Sequence, residues 1–435
     1  MKKFTKLFIL IGFTIILVSC GGIYPRERPL PQEGLALEEA IVDEGIRSKT
    51  GVDIANGKFY FTGMTDTGFN YYMINSSTME KTIIFEGLEN YDWFTPLMEE
   101  EALYVDYDGA LYILSNGEGK QMEENITGTR RPNVVVSPDR KAVLYTKDSS
   151  MGHQLYLYDL NENNAILIKE ALLEDEFLNF LRATHWSNHG DYFILNNEEI
   201  YDRNGSFIAQ IEALSLKWSP NDEWIAYIAS SPESEKTSII IGDRETFIGT
   251  DFCLFSLVDY SETVIYSREE GLINPIDAIQ WNESSSRVAI AVGTIKMIED
   301  YYEGMDYKEV LTYDIASDER NIIEKMPYNY YEFIFDDYLY VYNLGKREAL
   351  VIMNVISREK IEFDAPLLLN SKDMFIITNG NLAYLINNNQ LMEFTRDGEY
   401  NPLFTFPWPA EEVHYDSDEK QFIIINTDNN IYWLK

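Results

Sequence analysis

The sequence predicts an all-β protein built from repeated antiparallel strands, and three observations support this fold class. Short runs of Val, Ile, Leu, Tyr and Phe recur, separated by clusters of Asn, Asp, Gly and Ser. A polar turn phrase recurs between pairs of these runs. The chain also holds 30 Tyr, 23 Phe and 7 Trp, which favour strands. Four strands per unit of roughly 35 to 50 residues is typical of propeller blades. We therefore predict a single β-propeller of four-stranded antiparallel blades over residues 35–435.

Composition excludes several function classes. Of the 435 residues, 45% are apolar and 25% are charged, an ordinary globular balance that excludes general disorder. The 72 Asp and Glu outnumber the 35 Lys and Arg, giving a formal charge of −37. Because this field repels phosphate backbones, no nucleic-acid partner is predicted. The two cysteines cannot form a disulfide framework.

The first nineteen residues have the organisation of a secretory signal peptide. Lys2, Lys3 and Lys6 form a positive segment, and the apolar run 7–18 follows it. Twelve helical residues rise about 18 Å, which is too short for a hydrocarbon core of about 30 Å. The segment 1–19 is therefore predicted to be a cleaved signal rather than a membrane-spanning helix.

The end of this segment, Leu17-Val18-Ser19-Cys20, resembles the bacterial lipobox. The resemblance implies cleavage between Ser19 and Cys20, and a diacylglycerol thioether on Cys20 that is often joined by an N-acyl chain such as palmitate. It also implies a lipid-anchored protein on the outer side of the cell membrane or on the outer membrane. Two or three acyl chains attach a protein stably to a membrane, whereas one chain does not, because each buried CH₂ contributes only about 0.8 kcal/mol to membrane binding. An ordinary signal peptide or an uncleaved anchor is the alternative.

A spacer is expected between the anchor and the propeller. Residues 20–34 contain Pro25, Pro29 and Pro31, which disfavour both helix and sheet and predict a semi-extended tether. Removal of the three signal lysines leaves 32 basic and 72 acidic side chains, a formal charge of −40 that keeps the body off an anionic bilayer. The next segment, 35–46, fits a short helix or a first strand.

The recurring phrase is a strand, a tight polar turn and a second strand. Residues 134–145 and 216–227 are full copies, with Ser137-Pro138-Asp139 and Ser219-Pro220-Asn221 at their turns. Ser, Pro and Asp or Asn suit the successive positions of such a turn. Degenerate copies occupy the ranges 184–195, 278–290 and 413–424. The best helical candidate in the chain is the short segment 171–180.

These phrases, with Trp186, Trp218 and Trp281 just ahead of their turns, resemble the TolB-like, WD40-like propeller repeat. The resemblance spans residues 50–435 unevenly, and it implies fold more than function. The usual glycine of the turn is replaced by Arg140 and Asp222 and is retained as Gly190.

The spacing of the repeats predicts eight blades, with seven as the alternative. Second strands are expected to start near residues 58, 102, 141, 191, 223, 287, 338, 374 and 421. The gap from 223 to 287 is long, and its segment 258–266 fits either a degenerate repeat or an insertion. A strand near the N-terminus is expected to complete the last blade.

No catalytic residue is predicted. Neither a G-x-S-x-G elbow, a phosphate-binding glycine loop nor the sialidase S-x-D-x-G-x-T-W box occurs in the sequence. The adjacent acids Glu123 and Glu124, and Asp336 and Asp337, offer acid–base chemistry. With 72 acidic residues in the chain, such neighbours are expected by chance.

No metal site or cofactor is predicted either. Zinc needs three or four converging ligands, and only His185 and His189 bracket one turn, with His153 and His414 elsewhere. The acidic turns 159–163 and 416–418 lack the glycine and final glutamate of an EF-hand and are predicted to be Asx turns.

Two further residue types are interpreted as structural. Cys253 lies in an apolar strand and is predicted to be a buried free thiol. The repeated tryptophans are predicted to pack between blades. Trp408, flanked by Pro407 and Pro409, either contacts a sugar or peptide or pins the link between two blades.

The predicted function is a membrane-tethered extracytoplasmic lipoprotein whose propeller binds a protein, peptide or glycan. The alternative is an envelope enzyme of the glycan lyase or hydrolase type, with its site dispersed around the central channel. Propeller enzymes draw residues from several blades, so a linear motif need not appear.

Overall fold

The structure is a computed structural model, and it describes the following parts of the chain: 37–41, 49–55, 58–65, 68–75, 77–78, 80–88, 91–97, 101–127, 133–150, 152–171, 184–229, 238–241, 244–247, 251–267, 272–273, 279–298, 301–324, 330–342, 350–363, 374–379, 382–387, 389–395, 400–416, 420–426 and 430–434. The predicted signal peptide 1–19, the predicted tether 20–34 with Cys20, and residues 172–180 of the helical candidate lie outside these ranges.

Every regular element in the described ranges is a β-strand, as the all-β prediction expects. The described part of the chain contains no helix long and apolar enough to cross a membrane. The first strand, β1, spans Leu37–Ile41 and decides the ambiguous segment 35–46 in favour of a strand.

Blades 1 to 3 follow β1, and each is a four-stranded sheet whose strands pair in sequence order. Blade 1 holds β2 to β5, at Lys49–Ala55, Lys58–Thr65, Gly68–Asn75 and Lys81–Leu88. Blade 2 holds β6 to β9, at Tyr91–Pro96, Ala102–Asp106, Leu111–Ser115 and Glu118–Glu123. Blade 3 holds β10 to β13, at Val134–Val136, Ala142–Ser149, Gly152–Asp159 and Asn164–Ala171.

Blades 4 to 6 continue the series, and two of them carry additional strands. Blade 4 holds β14 to β17, at His185–Trp186, Tyr192–Leu195, Glu199–Asp202 and Phe207–Gln210. Blade 5 is β18, β19, β22 and β23, with the separate hairpin β20–β21 inserted, at Ala213–Trp218, Trp224–Ala229, Ser238–Ile241, Arg244–Phe247, Phe252–Ser256 and Glu262–Tyr266 in chain order. Blade 6 holds β24 to β28, at Leu272–Ile273, Ile279–Trp281, Arg287–Ile298, Tyr301–Asp314 and Glu319–Glu324.

Blades 7 to 9 complete the molecule. Blade 7 holds β29 to β32, at Tyr330–Phe335, Tyr338–Tyr342, Leu350–Asn354 and Lys360–Phe363. Blade 8 holds β33 to β36, at Met374–Asn379, Leu382–Asn387, Gln390–Thr395 and Tyr400–Thr405. Blade 9 holds β37 to β39, at Ala410–Asp416, Gln421–Asn426 and Ile431–Leu434, and takes β1 as its fourth strand.

The N-terminal strand closes the ring. β1 pairs antiparallel with β39, so that Leu37 faces Leu434 and Ile41 faces Ile431. The last sheet is thus assembled from both ends of the described chain, as the sequence predicts. This pairing covers an edge that blade 9 would otherwise expose.

Apolar side chains fill the gaps between successive blades. Trp433 and Ile423 of blade 9 pack against Phe59 and Ile74 of blade 1, which shows that the ring is closed. Buried clusters also lie between blades 1 and 2, 2 and 3, 3 and 4, 4 and 5, 5 and 6, 6 and 7, and 8 and 9. Blades 7 and 8 meet through their first strands, β29 and β33. Both faces of a blade are buried, which explains why the strands are nearly continuously apolar.

The blade count of eight, or seven, is wrong, because the described residues form nine blades, eight of four strands and one, blade 6, of five. Blades 1, 7 and 8 turn from first to second strand through only two residues, pairing Ala55 with Lys58, Phe335 with Tyr338 and Asn379 with Leu382. Such tight turns have no room for the Ser-Pro phrase. These blades could therefore be counted only by spacing, which is ambiguous.

The structure also corrects the predicted start of one second strand and explains the long gap between two others. The run that begins at Met374 is the first strand of blade 8, and the second strand begins at Leu382. The long gap between 223 and 287 arises from the inserted hairpin β20–β21. Segment 258–266 is not an extra repeat, because it holds a turn and β23, the fourth strand of blade 5.

Candidate ligand site on the innermost strands

The first strand of each blade lies nearest the axis of the ring. First strands of neighbouring blades contact one another, as β18 does with β25, and β25 with β29. On each of several first strands, one residue packs against the preceding blade, as Trp218 does in blade 5. The residue immediately before it occupies the same position in each of these strands. We call this set the axial row: it consists of Val135, His185, Lys217, Gln280 and Glu332.

Register shows that Lys217 and Gln280 occupy equivalent positions in blades 5 and 6. In blades 5 and 6 the row residue faces an alanine of the second strand, since Lys217 pairs with Ala226 and Gln280 pairs with Ala289. The next residue along, Trp281, is buried between blades 5 and 6. Within the axial row Val135 is apolar and packs beside the cluster between blades 3 and 4, whereas His185, Lys217, Gln280 and Glu332 are polar.

Alternation along β18 directs Lys217 toward blade 6. Leu216 and Trp218 pack into the cluster between blades 4 and 5, and successive side chains of a strand point to opposite faces. The Lys217 ammonium accordingly donates a hydrogen bond to Gln280 Oε1 across the gap, at 2.8 Å. The Trp281 indole N–H donates to the backbone oxygen of Lys217 at 3.1 Å, which links the same two strands again.

Lys217 is both open to solvent and crowded by protein. Its side chain is exposed, yet desolvation by neighbouring atoms lowers the pKa of its ammonium, an effect that Glu332 partly opposes. His185 behaves alike: burial of the charged form lowers its pKa, against an opposing hydrogen bond with Asn197. Both lowered pKa values fit side chains that protein atoms crowd while solvent still reaches them.

A second feature links the blades at one rim. We call the loops between first and second strands, residues 137–141, 187–191, 219–223, 282–286 and 336–337, the turn rim. Asp222 Oδ1 accepts from the Asn188 backbone N–H at 2.7 Å, and Asp222 Oδ2 accepts from the His189 backbone N–H at 2.7 Å. Each hydrogen bond joins the turns of neighbouring blades.

The turn phrase places one residue in the left-handed region. The φ angles are 58° at Arg140, 58° at Asp222 and 60° at Ser285. Gly190 occupies the corresponding position of its turn, with a φ of 78°. A Cβ on Gly190 would lie 3.0 Å from Asp139 Oδ1 of the preceding blade. Glycine is retained there because the neighbouring turn approaches closely, whereas Arg140 and Asp222 use their side chains to reach the neighbouring blade.

The acidic pairs take part in structural contacts. Asp336 accepts a hydrogen bond from the Ser284 backbone N–H at 2.8 Å, and Asp337 accepts from Arg287 at 2.6 Å, which joins blades 6 and 7. Glu123 forms an ion pair with Lys147 at 3.1 Å. Glu124 accepts from Gln121 within the same blade. These carboxylates lie apart on different blades and do not converge on one site.

The predicted histidine and acidic-turn candidates are separated in space. His189 contacts Asp222 in the turn rim, whereas His185 lies on the innermost strand. His153 bonds Asp148, and His414 lies against Phe59. Among the described residues, no three His, Cys, Asp or Glu side chains gather in a way that could hold a metal ion.

The Asx-turn prediction is confirmed for the loop 159–163. Asp159 Oδ1 accepts from the backbone N–H groups of Asn161 and Glu162, at 2.8 and 2.9 Å. Asp416 is buried at the end of β37, and Asp418 lies outside the described residues.

The interpretations of Cys253 and the repeated tryptophans are confirmed. Cys253 is a buried free thiol, and burial raises its pKa to about 12. Trp186, Trp218 and Trp281 each pack against the preceding blade. Their rings fill the gaps between blades beside the axis.

Trp408 pins the link between blades 8 and 9. Its ring stacks on Phe406 at 5.4 Å and meets Tyr432 at 4.4 Å between centroids. It remains half-buried beside the cluster that joins these two blades. The structure thus favours the packing role that the sequence offered as one of two alternatives.

The axial row was missed at the sequence level, although a signal for it exists. The residue before each repeated tryptophan is polar: His185, Lys217 and Gln280. In a buried strand this position should be apolar, so three polar residues at one repeat position indicate a solvent-facing line. Ser19 and Cys20, the predicted cleavage and lipid-attachment residues, lie outside the described residues.

Comparisons with known proteins return structural likeness only. No family model matches the chain. No curated protein matches it.

Several solved structures share the architecture at low identity. The C-terminal WD40 domain of Sif2 is 10% identical, with TM-score 0.43, covering 92% of this chain and 97% of that one. TolB from Acinetobacter baumannii is 12% identical, with TM-score 0.27, covering 72% and 78%. BamB from Moraxella catarrhalis is 12% identical, with TM-score 0.35, covering 79% and 96%. Likeness at this distance carries no argument about function. Because the described residues form nine blades packed in a closed ring, the chain is a β-propeller repeat protein.

Proposed function

We propose that this protein is a lipid-anchored, extracytoplasmic binding module whose propeller receives a protein, peptide or glycan at its axis. The axial row is the observation that supports ligand binding. Lys217 is open to solvent and hydrogen-bonded to Gln280 of the next blade. Polar groups converging on a rigid, largely apolar scaffold are the usual composition of a ligand site.

Rigidity supports this proposal. The ring is closed by β1 and packed between blades, so the axial side chains stand on strands rather than on loops. A site that is already formed loses less conformational entropy when it binds. The carboxylates of Asp222, Asp336 and Asp337 reinforce the frame by joining neighbouring turns.

The membrane anchor rests on the sequence. A positive segment, a short apolar run and Leu17-Val18-Ser19-Cys20 occur together at the spacing of a lipoprotein signal. Several acyl chains on one sulfur and one amine give stable attachment, where a single chain does not. The cell membrane or the outer membrane is the proposed location, with the propeller on the extracytoplasmic side.

Metabolic labelling tests the anchor. Cells given a palmitate analogue are expected to label the wild-type protein and to leave Cys20→Ala unlabelled and released from the membrane fraction. The matched control is Cys253→Ser, which changes the only other cysteine, a buried thiol, and should keep full labelling. Label retained by Cys20→Ala would contradict the anchor.

Photo-crosslinking tests the binding site. A photoreactive residue at position 185, in the axial row, is expected to form a defined adduct in intact cells. The same residue at Glu162, on an exposed outer turn, serves as control and should form none. Equal or absent adducts at both positions would count against axial binding.

A further inference from the structure

We propose that Lys217 and Gln280 form a site for a ligand that carries a carboxylate, held between blades 5 and 6 at the axis. This inference deepens the proposed binding function and depends on it. It concerns the chemical class of the ligand, which the fold does not specify.

The hydrogen bond between the two side chains fixes the orientation of the amide. A lysine ammonium only donates, so the Gln280 atom at 2.8 Å from Lys217 Nζ must be the oxygen. The Gln280 amide nitrogen, with two N–H groups, therefore points away from that contact. Lys217 holds three N–H groups and uses one of them on Gln280. The pair thus presents ammonium and amide donors from neighbouring blades, and a carboxylate has two oxygens that accept such donors.

The backbone keeps this pair in place. The Trp281 indole N–H bonds the Lys217 carbonyl at 3.1 Å, so β18 and β25 are joined at the site itself. Ala226 and Ala289, the cross-strand partners, are fully buried and add no bulk beside the two side chains. The donors stand on two strands whose separation is set by the packed cluster between blades 5 and 6.

Partial desolvation of the Lys217 ammonium favours the binding of an anion beside it. Neighbouring atoms strip water from the Lys217 ammonium and lower its pKa, and Glu332 on the next blade offsets only part of this effect. A carboxylate that approaches the ammonium adds a counter-charge to that of Glu332. Charge-assisted hydrogen bonds are roughly twice as strong as neutral ones.

The overall charge selects a small, singly charged ligand. A formal charge of −37 repels polyanions at long range. At physiological salt, screening weakens this repulsion beyond about 8 Å. The attraction between one carboxylate and the Lys217 ammonium in direct contact is therefore still favourable. A peptide C-terminus and a uronic acid both supply this group.

Calorimetric titration of the full-length, detergent-solubilised protein tests the proposal. N-acetylalanine represents a peptide C-terminus, glucuronate represents a sugar acid, and N-acetylalaninamide is the uncharged comparison. We expect at least one carboxylate to bind in the millimolar range or tighter and the amide to bind at least ten-fold more weakly. The stronger of the two carboxylates identifies the source of the ligand.

Two lysine variants locate the binding. Lys217→Met keeps the length of the side chain and removes the charge, and it should weaken carboxylate binding about ten- to hundred-fold. Lys147→Met, which removes a lysine paired with Glu123 away from the axis, should leave affinity unchanged. Circular dichroism checks that Lys217→Met stays folded, as expected when a desolvated charge is removed. Gln280→Leu provides a second variant and should weaken binding by about three- to ten-fold.

Three outcomes overturn the inference: no binding of either carboxylate, equal binding of the amide, or unchanged affinity in folded Lys217→Met. Each is distinct from a failure of the proposed function. If Cys20 labelling and crosslinking at position 185 succeed while the carboxylates fail, the binding module stands and the ligand class is wrong.

Discussion

Replacing Asp222 by glycine separates two roles that this residue combines in the turn of blade 5. Its backbone has a φ of 58°, a left-handed conformation that disfavours a side chain. Its buried carboxylate accepts from the Asn188 and His189 backbone N–H groups, both at 2.7 Å, and from Asn188 Nδ2 at 2.9 Å. Glycine relieves the strain of the left-handed backbone, and it removes the carboxylate together with its hydrogen bonds.

The hydrogen bonds should outweigh the backbone strain. A hydrogen bond to a charged group contributes about 1.5–3 kcal/mol, but Asn188 and His189 are exposed and water can replace part of the loss. We take about 1 kcal/mol for each of the three bonds. Relief of left-handed strain, less the greater freedom of glycine in the unfolded chain, returns about 0.5 kcal/mol. Asp222→Gly should therefore lose about 2.5 kcal/mol of stability, and Asp222→Ala about 3 kcal/mol.

A left-handed residue between β37 and β38 of blade 9 offers a control. Lys420 has a φ of 53° and an exposed side chain, so Lys420→Gly should gain about 0.5 kcal/mol once the greater freedom of glycine in the unfolded chain is subtracted. Urea unfolding followed by tryptophan fluorescence measures all three variants. An Asp222→Gly protein as stable as wild type would refute the claim that this carboxylate joins blades 4 and 5.

Three further predictions concern packing, closure and pH. Trp281→Phe removes the indole bond to Lys217 and part of the filling between blades 5 and 6, so unfolding free energy should fall by about 1–3 kcal/mol. Deleting the chain through Ile41 removes β1 and exposes the edge of β39, so the protein should self-associate on size-exclusion chromatography, whereas a chain starting at Leu35 should not. Asp139 is a pH-sensitive group: burial acts to raise its pKa, but hydrogen bonds from Ser137, Arg203 and the Lys141 backbone outweigh burial and hold the pKa below its usual value. A depressed carboxyl pKa contributes stability that is present above the unfolded value of 3.8 and is lost as pH falls through the folded value, so Asp139→Asn should reduce the drop in urea midpoint between pH 7 and pH 3.

Much of the fold was predictable because local chemistry repeats. All five turn phrases form the first and second strands of a blade, from Val134–Val136 with its partner to Ala410–Asp416 with Gln421–Asn426. The tryptophans before three of these turns pack between blades as predicted. Ser, Pro and Asp or Asn determine the turn through short-range hydrogen bonds, so no distant residue is needed to recognise it.

The candidate site was less predictable because it depends on which blade adjoins which. Lys217 and Gln280 are 63 residues apart, yet their side chains bond at 2.8 Å. Within the sequence each is one polar residue in an apolar strand. Their shared position becomes informative only when the register of two separate sheets is known.

The sequence alone determined the strand composition and the turn phrase, because these depend on neighbouring residues, and the lipoprotein signal stays a prediction. Only the tertiary structure decided that nine blades close the ring and that Asp222, Asp336 and Asp337 join neighbouring turns. It also decided that Lys217 and Gln280 meet between blades 5 and 6. The physical reason is that blade number and axial contacts arise from packing between sheets, which brings together residues that the linear order keeps dozens of positions apart.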